Sequence, residues 1–195
     1  MNIVLLGPPG AGKGTQSLKC QQRYDLSLIA SGDLLREQVR QGTQLGKRIA
    51  TYLDQGQLVP HEAAMEVVQK QLQSQKNSQG ILFDGFPRAL PQAMSLDELF
   101  KENGLKLHGV IFINVPEQEL KQRIRERAKS SGRTDDQGED KVATRMQVYY
   151  QETVPLMTYY KQHSKMFQVD GMGDTEAVFQ RIVAILDRIQ ERLAA

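Results

Sequence analysis

The feature that most constrains this chain is a glycine-rich segment near its start. Residues 7–15 read GPPGAGKGT and follow the apolar run 2–6, which predicts a buried β-strand. A strand that ends in such a turn and then opens a helix is the P-loop arrangement for holding phosphate groups. Glycines allow backbone N–H groups to approach phosphate oxygens, and the helix beginning near Lys13 adds a positive N-terminal dipole. The alternative is a glycine-rich β-to-α turn that binds no ligand.

The segment departs from the usual P-loop pattern at its end. Gly14 follows Lys13 where Ser or Thr is usual, and Thr15 comes one place late. We expect Lys13 to reach the β- and γ-phosphates of a nucleotide. Thr15, or a water near it, should help to hold magnesium.

Short apolar runs separated by longer amphipathic stretches predict the fold class. The runs are 3–6, 28–30, 81–83, 110–115 and 166–169. The predicted helices are 13–24, 33–41, 44–55, 61–76, 90–102, 117–129, 140–163 and 174–193. This alternation is typical of an α/β protein, here a P-loop NTPase-like five-stranded parallel sheet flanked by helices. A length of 195 residues suits one domain with small inserted pieces.

Two segments do not fit the simple alternation. Residues 31–59 contain two predicted helices with no strand between them, so they should form a small helical excursion beyond the sheet. Residues 130–140 read SSGRTDDQGED and form a polar loop, for which a plain surface loop is an alternative.

A second motif, DGFPR at 84–88, follows the predicted strand 81–83. An aspartate at the carboxyl end of a buried strand is where P-loop enzymes hold magnesium, usually through water, which makes Asp84 a candidate. Gly85 lets a ligand approach the backbone, and Pro87 stiffens the turn that aims Arg88. Taken singly, Asp84 could instead cap a turn, and Arg88 could be a solvated surface charge.

The segment SGDLLR at 31–36 also follows a predicted strand. Asp33 can cap the helix predicted to start there, and Arg36 lies one turn further on. A capped helix with a surface arginine is the alternative.

Four more arginines mark the second half of the chain. Arg123 and Arg127 share a helix face, Arg133 lies in the polar loop, and Arg145 lies on the next predicted helix. Their planar guanidinium groups match the charge that phosphoryl transfer spreads over three oxygens. Pairing with nearby acids is the alternative; these are Glu119, Glu126, Asp135 and Asp136.

Composition excludes several other classes of protein. A net charge of +2 is too small to indicate bulk nucleic-acid binding, and no run of eighteen apolar residues predicts a membrane span. The single Cys20 excludes an internal disulfide, fits a reducing compartment and should be a buried core thiol. The P-loop begins at residue 7, which leaves no room for a targeting peptide. We therefore expect a cytoplasmic protein.

With these motifs assembled, the chain resembles the adenylate kinases along essentially its full length. GPPGAGKGTQ, SGDLLR, GQLVP, DGFPRALPQA, RIRER, SGRTDD and TRMQVYYQETVPLMTYY occur in the family's order and approximate spacing. The resemblance implies a core (1–29, 60–127 and 139–195), a nucleoside monophosphate-binding segment at 30–59 and a short lid at 128–138. The reaction it implies is ATP + AMP ⇌ 2 ADP, with Mg²⁺ bound to ATP near Asp84. A short lid without cysteines implies no zinc.

The resemblance also implies roles for individual residues. ATP would contact Gly10, Ala11, Gly12, Lys13, Gly14, Thr15, Arg127 and Gly173. AMP would contact Ser31, Arg36, Gln57, Leu58, Val59, Gly85, Phe86, Pro87, Arg88, Gln92, Arg133 and Arg145. The catalytic residues would be Lys13, Arg88, Arg123, Arg133 and Arg145. The expected partners are these nucleotides alone, bound by a monomer that contacts neither nucleic acid nor membrane.

Gln92 is the residue expected to determine which nucleoside monophosphate accepts the phosphoryl group. Its amide offers a donor and an acceptor, which can pair with the N1 and 6-amino edge of adenine. We therefore expect AMP to be used ahead of UMP, CMP and GMP. Two other readings stay open at this point: a kinase for UMP or CMP, and a nucleotide-dependent switch. The switch would use the P-loop but would leave Arg36, Arg88, Arg133 and Arg145 without a role.

Overall fold

A parallel sheet forms the centre of the computed structural model, which describes residues 1–74, 79–129, 131–163 and 165–194. Within these residues the sheet has five strands in the order β2-β3-β1-β4-β5. The strands are β1 Ile3–Leu6, β2 Ser27–Ala30, β3 Ile81–Asp84, β4 Gly109–Asn114 and β5 Met166–Asp170. The predicted five-stranded parallel sheet is confirmed. Since β1 lies between β3 and β4, later strands are added on both sides of it, and the strand order reverses beside β1. Open α/β sheets bind ligands at such a point, outside the carboxyl ends of the strands.

Helices connect the strands and cover both faces of the sheet. They are α1 Lys13–Tyr24, α2 Ser31–Arg40, α3 Gln44–Asp54, α4 His61–Ser74, α5 Leu90–Glu102, α6 Glu117–Ala128, α7 Glu139–Val148, α8 Pro155–Gln162 and α9 Thr175–Ala194. A 3₁₀ turn, Thr134–Asp136, precedes α7. Residues 75–76 of the predicted helix 61–76, residue 130 of the predicted lid, and residues 75–78, 164 and 195 of the predicted core lie outside the described residues.

Two apolar clusters hold these layers together. Val4, Phe83 and Phe112 point to the face that α4, α5 and α8 cover. Leu5 and Ile111 point to the opposite face, which packs against α1 and α9. The strands are apolar throughout because both of their faces are buried. The predicted burial of the Cys20 thiol on α1 is confirmed.

The helical excursion after β2 is a tightly packed pair, α2 and α3, with no strand between them. The Thr43 hydroxyl caps α3 by accepting from the backbone N–H of Gly46, at 2.9 Å. A Cβ at Gly46 would lie 2.0 Å from the carbonyl oxygen of Gln38, so only glycine permits this crossing. The pair stands beside the carboxyl ends of the strands, where its residues can reach a bound ligand.

The single helix predicted over 140–163 is wrong in its middle. Between α7 and α8 the chain makes a π-helical turn, Tyr149–Thr153, in which the Val154 N–H donates to the Tyr149 carbonyl at 3.0 Å. The cause is Pro155, which has no N–H for the α-helical ladder and whose ring would crowd the carbonyl four residues earlier. The π-helical turn is wider and holds one residue more than an α-helical turn, so α7, this turn and α8 continue as one helical rod.

Candidate active site

The loop between β1 and α1 has the shape of an anion cradle. Gly10 and Gly12 adopt φ angles of 84° and 88°, which residues with side chains rarely adopt. The Lys13 ammonium donates to the carbonyls of Gly7 at 2.8 Å and Pro8 at 2.9 Å, which ties the end of the loop to its beginning. Ala11, within the loop, is buried. This arrangement leaves the start of α1 to face the cleft.

The ammonium of Lys13 lies in a strongly perturbed environment. Its pKa is lowered to about 7, chiefly by burial; Asp84 opposes this shift, while the charges of Arg88, Arg145 and Arg127 add to it. A cation that is desolvated and surrounded by other cations gains most from a nearby polyanion. Lys13 is therefore poised to pair with phosphate.

Asp84 ends β3 directly opposite the start of α1. Its carboxylate accepts from the Ser17 hydroxyl at 3.2 Å, and that hydroxyl also contacts the Gly14 carbonyl. Thr15 and Asp84 line the same cavity. Oxygen donors of this kind are what magnesium prefers.

A cavity of about 460 Å³ opens in front of the P-loop, and its lining is strongly cationic. Seven basic side chains line it against two acidic ones, Asp33 and Asp84. The basic residues are Lys13, Arg36, Arg88, Arg123, Arg127, Arg133 and Arg145. The whole chain carries a net charge of only +2, so cationic charge is concentrated here. Such a cavity favours the binding of a polyanion the size of a nucleoside triphosphate.

The arginines are held in place by acids, as the alternative reading of the sequence allowed, while they also line the cavity. The buried carboxylate of Asp136 accepts from Arg127 at 2.6 and 2.8 Å and also pairs with Arg145. Arg145 pairs with Asp135 as well, at 3.0 Å. The 3₁₀ turn of the predicted lid thus anchors two of the cavity's guanidinium groups.

Arg123 lies at the rim of the cavity, where it joins α6 to the loop after β5. Its guanidinium donates to Glu119 at 2.7 Å and to the carbonyl of Gly171 at 3.2 Å. Gly173 follows two residues later, in the same loop. Neither Gly171 nor Gly173 lines the cavity itself, so this loop is joined to the cavity only through Arg123.

A second, narrower pocket joins the cavity beneath the helical pair. Its mainly apolar wall is formed by Leu35, Leu53, Leu58, Val59, Ala64 and Phe86, and its polar lining includes Ser31, Gln57 and Gln92. Arg36, Arg88 and Arg145 line both spaces. The pocket holds only about 30 Å³, against roughly 300–1,000 Å³ for typical ligand pockets, so a nucleotide does not fit in it as it stands.

The turn 85–88 forms the floor shared by the two spaces. The Gly85 carbonyl accepts from the Ser31 hydroxyl and from Nε of Arg88, both at 2.7 Å. Burial and the charges of Arg145 and Arg36 lower the pKa of Arg88 to about 10. Pro87 lines a small adjoining cavity together with Lys13 and Arg145.

Gln92 is buried on the first turn of α5 and uses one end of its amide within the protein. Its Oε1 accepts from the backbone N–H of Arg88 at 2.8 Å. The NH₂ group is therefore the end left to meet a base in the pocket. A ring nitrogen acceptor, such as N1 of adenine, fits that donor.

The prediction that Asp33 caps α2 is wrong. The helix begins at Ser31, directly after β2, which places Asp33 in the first turn. There its carboxylate accepts from Arg36 at 2.5 Å and from Arg133 at 3.2 Å. Asp33 thereby links the helical pair to the predicted lid, and Lys141 of α7 links the pair to the predicted core through Asp54, at 2.8 Å.

The sequence named Asp136 only as one of four acids that could pair with the arginines, and its anchoring role can be tested through stability. Burial alone would raise the pKa of Asp136, but its bonds to Arg127 and the charge of Arg145 outweigh this and lower it. The stabilisation is thus fully present above the unfolded pKa of about 4 and is lost as the pH falls through the lower folded value. Asp136→Asn should lower the free energy of unfolding at pH 7 by about 2 kcal/mol, less than for a fully buried pair because Arg127 is partly exposed.

The measurement is urea unfolding of both proteins at pH 7 and at pH 3. Glu139→Gln is the matched control, because its pair with Arg125 is exposed and should contribute less than about 1 kcal/mol. The gap between wild type and Asp136→Asn should shrink at the lower pH. Equal stability of Asp136→Asn and Glu139→Gln at pH 7 would contradict the anchoring role.

Comparisons with known proteins agree on one family. The family model described as adenylate kinase matches residues 5–165. An adenylate kinase of Bacteroides fragilis is 41% identical over 97% of this chain and 100% of its own length. One of Thermus thermophilus is 42% identical over 94% of this chain and 96% of its own length, and one of Archaeoglobus fulgidus is 39% identical over 97% and 100%.

Proposed function

Because this chain belongs to the adenylate kinase family, we infer that it is a nucleoside monophosphate kinase that transfers the terminal phosphoryl group of ATP reversibly to AMP, giving two ADP. The observation that carries this conclusion is the second pocket, which joins the cationic cavity and shares Arg36, Arg88 and Arg145 with it. A nucleotide switch needs one such site, whereas a kinase with a nucleotide acceptor needs two.

We propose that ATP occupies the cavity in front of the P-loop. Its phosphates would lie against residues 10–15 and Arg127, and its base would approach the loop containing Gly173. Arg123 is anchored to Gly171 in that loop, which supports a role beside the donor nucleotide.

We propose that AMP occupies the second pocket. The base would lie against the apolar wall and Gln92, and the phosphate would meet Arg36 and Arg88 at the junction with the cavity. The other proposed contacts are Ser31, Gln57, Leu58, Val59, Gly85, Phe86, Pro87, Arg133 and Arg145.

Magnesium bound with ATP fits the residues that are present. Asp84 and Thr15 supply hard oxygen donors on one cavity, and the Ser17 hydroxyl orients the Asp84 carboxylate. The ion would neutralise charge on the phosphates of ATP. We propose no zinc, since the lid sequence carries neither Cys nor His, and no cluster of His, Cys, Asp and Glu able to hold a metal occurs among the described residues.

The chemistry asks the protein to position and to stabilise charge. The AMP phosphate can attack the γ-phosphorus directly, so no side chain has to serve as nucleophile. Lys13, Arg88, Arg123, Arg133 and Arg145 would neutralise the charge that spreads over the transferring group. Closure of the cleft would exclude water, which would otherwise accept the phosphoryl group.

Gln92→Leu tests the acceptor assignment. It should raise the KM for AMP by about tenfold or more while the KM for ATP changes less than about twofold, because the amide lines the acceptor pocket alone. Gln92→Glu keeps an acceptor for the Arg88 N–H but removes the donor, so it separates base recognition from support of the turn. Gln122→Leu, an exposed change on α6, is the control.

The same assay with other acceptors tests the choice of base. The wild-type enzyme should use AMP well ahead of UMP, CMP and GMP. Equal use of AMP and CMP would overturn the adenine assignment and favour a pyrimidine nucleotide kinase.

We propose that residues 30–59 and 128–138 move relative to the core. Asp33 and Arg133 join these segments, and the pocket between the core and α2 is too small for a nucleotide. An analogue that joins two adenosines through five phosphates should slow hydrogen exchange in both segments, whereas an ATP analogue alone should leave 30–59 unprotected. If the bisubstrate analogue protected only the P-loop, two-site binding would be wrong.

We propose a cytoplasmic monomer. The single buried thiol of Cys20 fits a reducing compartment. Among the helices that the structure describes, none is both long and apolar enough to cross a membrane.

A further inference from the structure

The backbone of Arg88 is held from two sides by buried side chains. Gln92 accepts from its N–H at 2.8 Å, and the Thr153 hydroxyl donates to its carbonyl at 2.7 Å. Gln92 belongs to the helix that follows the turn, but Thr153 comes from a different part of the chain, 65 residues later. Thr153 is 6% exposed, so water competes little for this bond.

Thr153 occupies the last position of the π-helical turn 149–153. In a regular α-helix, residues eight apart differ in direction by about 80°, because each residue turns the helix by about 100°. A π turn absorbs about one residue, so Thr153 stands where the seventh residue after Arg145 would, within about 20° of the same direction. The π turn therefore points Thr153 and Arg145 to one side of the rod.

Both side chains face the same small space. A cavity of about 70 Å³ lies between the P-loop, the Arg88 turn and this rod, and it is lined by Lys13, Arg88, Arg145, Tyr149 and Thr153 among others. The Arg145 guanidinium pairs with Asp135 and Asp136, while the Thr153 hydroxyl bonds to the main chain of Arg88. The same helical rod thus carries Arg145, which lines the cavity, and Thr153, which holds the turn that carries Arg88.

We propose that Thr153 is a positioning residue for Arg88: its hydroxyl, presented by the π turn, holds the carbonyl of the turn 85–88 and so fixes the direction of the Arg88 guanidinium. This inference rests on the proposed AMP site, to which Arg88 contributes. Thr153 touches neither nucleotide in this account and acts through the main chain alone.

The expected consequence is selective for the acceptor. Without the bond, the Arg88 carbonyl loses that partner, and the turn 85–88 can shift away from the π-helical turn. Arg88 borders both spaces, but the phosphate proposed to pair with it is that of AMP, whereas Lys13, proposed for ATP, is held by Gly7 and Pro8. Acceptor binding should therefore weaken while donor binding stays the same.

The test is a comparison of Thr153→Val with Thr153→Ser in steady-state assays with ATP and AMP. Valine keeps the shape but removes the hydroxyl, and it should raise the KM for AMP by about 5- to 20-fold with the KM for ATP changed less than about twofold. Serine keeps the hydroxyl and should restore the KM for AMP to within about twofold of wild type. Thr144→Val is the control, because the Thr144 hydroxyl bonds within α7, to the Asp140 carbonyl.

An unchanged KM for AMP in Thr153→Val, or equal rises in both KM values, would overturn the proposal, as would a serine variant no better than valine. If Thr153→Val does not fold, Thr153→Ala takes its place under the same criteria. Failure of the proposed function looks different, since the wild-type enzyme itself would then not phosphorylate AMP.

Discussion

Lys13→Ala is expected to lower kcat by about 10²-fold or more while leaving the fold intact. The Lys13 ammonium lies at the start of α1, inside the cationic cavity, and burial lowers its pKa to about 7. A triphosphate would restore its full charge, and its strongest pairing would come as charge develops on the transferring phosphoryl group. Alanine removes that interaction from the transition state.

The control for this variant is Lys19→Ala on the same helix. Lys19 pairs with Glu176 on α9, away from the cleft, so its loss should change kcat less than about twofold. Thermal unfolding of both variants checks that the fold is kept. Near-normal turnover in a folded Lys13→Ala protein would contradict the role of Lys13.

Arg145→Ala is expected to lower kcat by about 10²- to 10³-fold. Arg145 is 12% exposed, pairs with Asp135 and Asp136, and lines both the cationic cavity and the second pocket. Its loss would remove a guanidinium from the place where the two phosphates meet. It would also release one contact of the predicted lid.

Arg125→Ala is the matched control for Arg145→Ala. Arg125 is 71% exposed and pairs with Glu139 on the surface, so kcat should stay within about twofold of wild type. A loss of rate for Arg145→Ala at low AMP that disappeared at saturating AMP, with kcat unchanged, would mean that Arg145 acts in binding alone, which would contradict its catalytic role.

The sheet and the P-loop were predictable because both depend on local patterns. Apolar runs of three to six residues between amphipathic stretches predict buried parallel strands, and the glycines before Lys13 predict the turn that follows β1. The structure extends β2, β3 and β5 by one residue at most at either end of the predicted runs. Such boundaries depend on hydrogen bonds to neighbouring strands, which periodicity does not encode.

The π turn and the anchoring acids were harder to predict. Helical periodicity continues across 140–163 almost unchanged, and the one local signal of an irregular turn was Pro155. Which acids hold which arginines depends on how the 3₁₀ turn packs against α6 and α7, so Asp136 could be recognised only as a nearby charge. The orientation of the Gln92 amide likewise depends on the Arg88 N–H, four residues earlier and in a different backbone conformation.

The central claim is that two nucleotides meet in one cleft that excludes water, and a product balance tests it most directly. Wild-type enzyme is incubated with MgATP, with and without AMP, and ADP and inorganic phosphate are both measured. The account predicts two ADP for each ATP consumed, strict dependence on AMP and almost no inorganic phosphate. Steady release of inorganic phosphate from ATP at a rate that AMP does not change would contradict it.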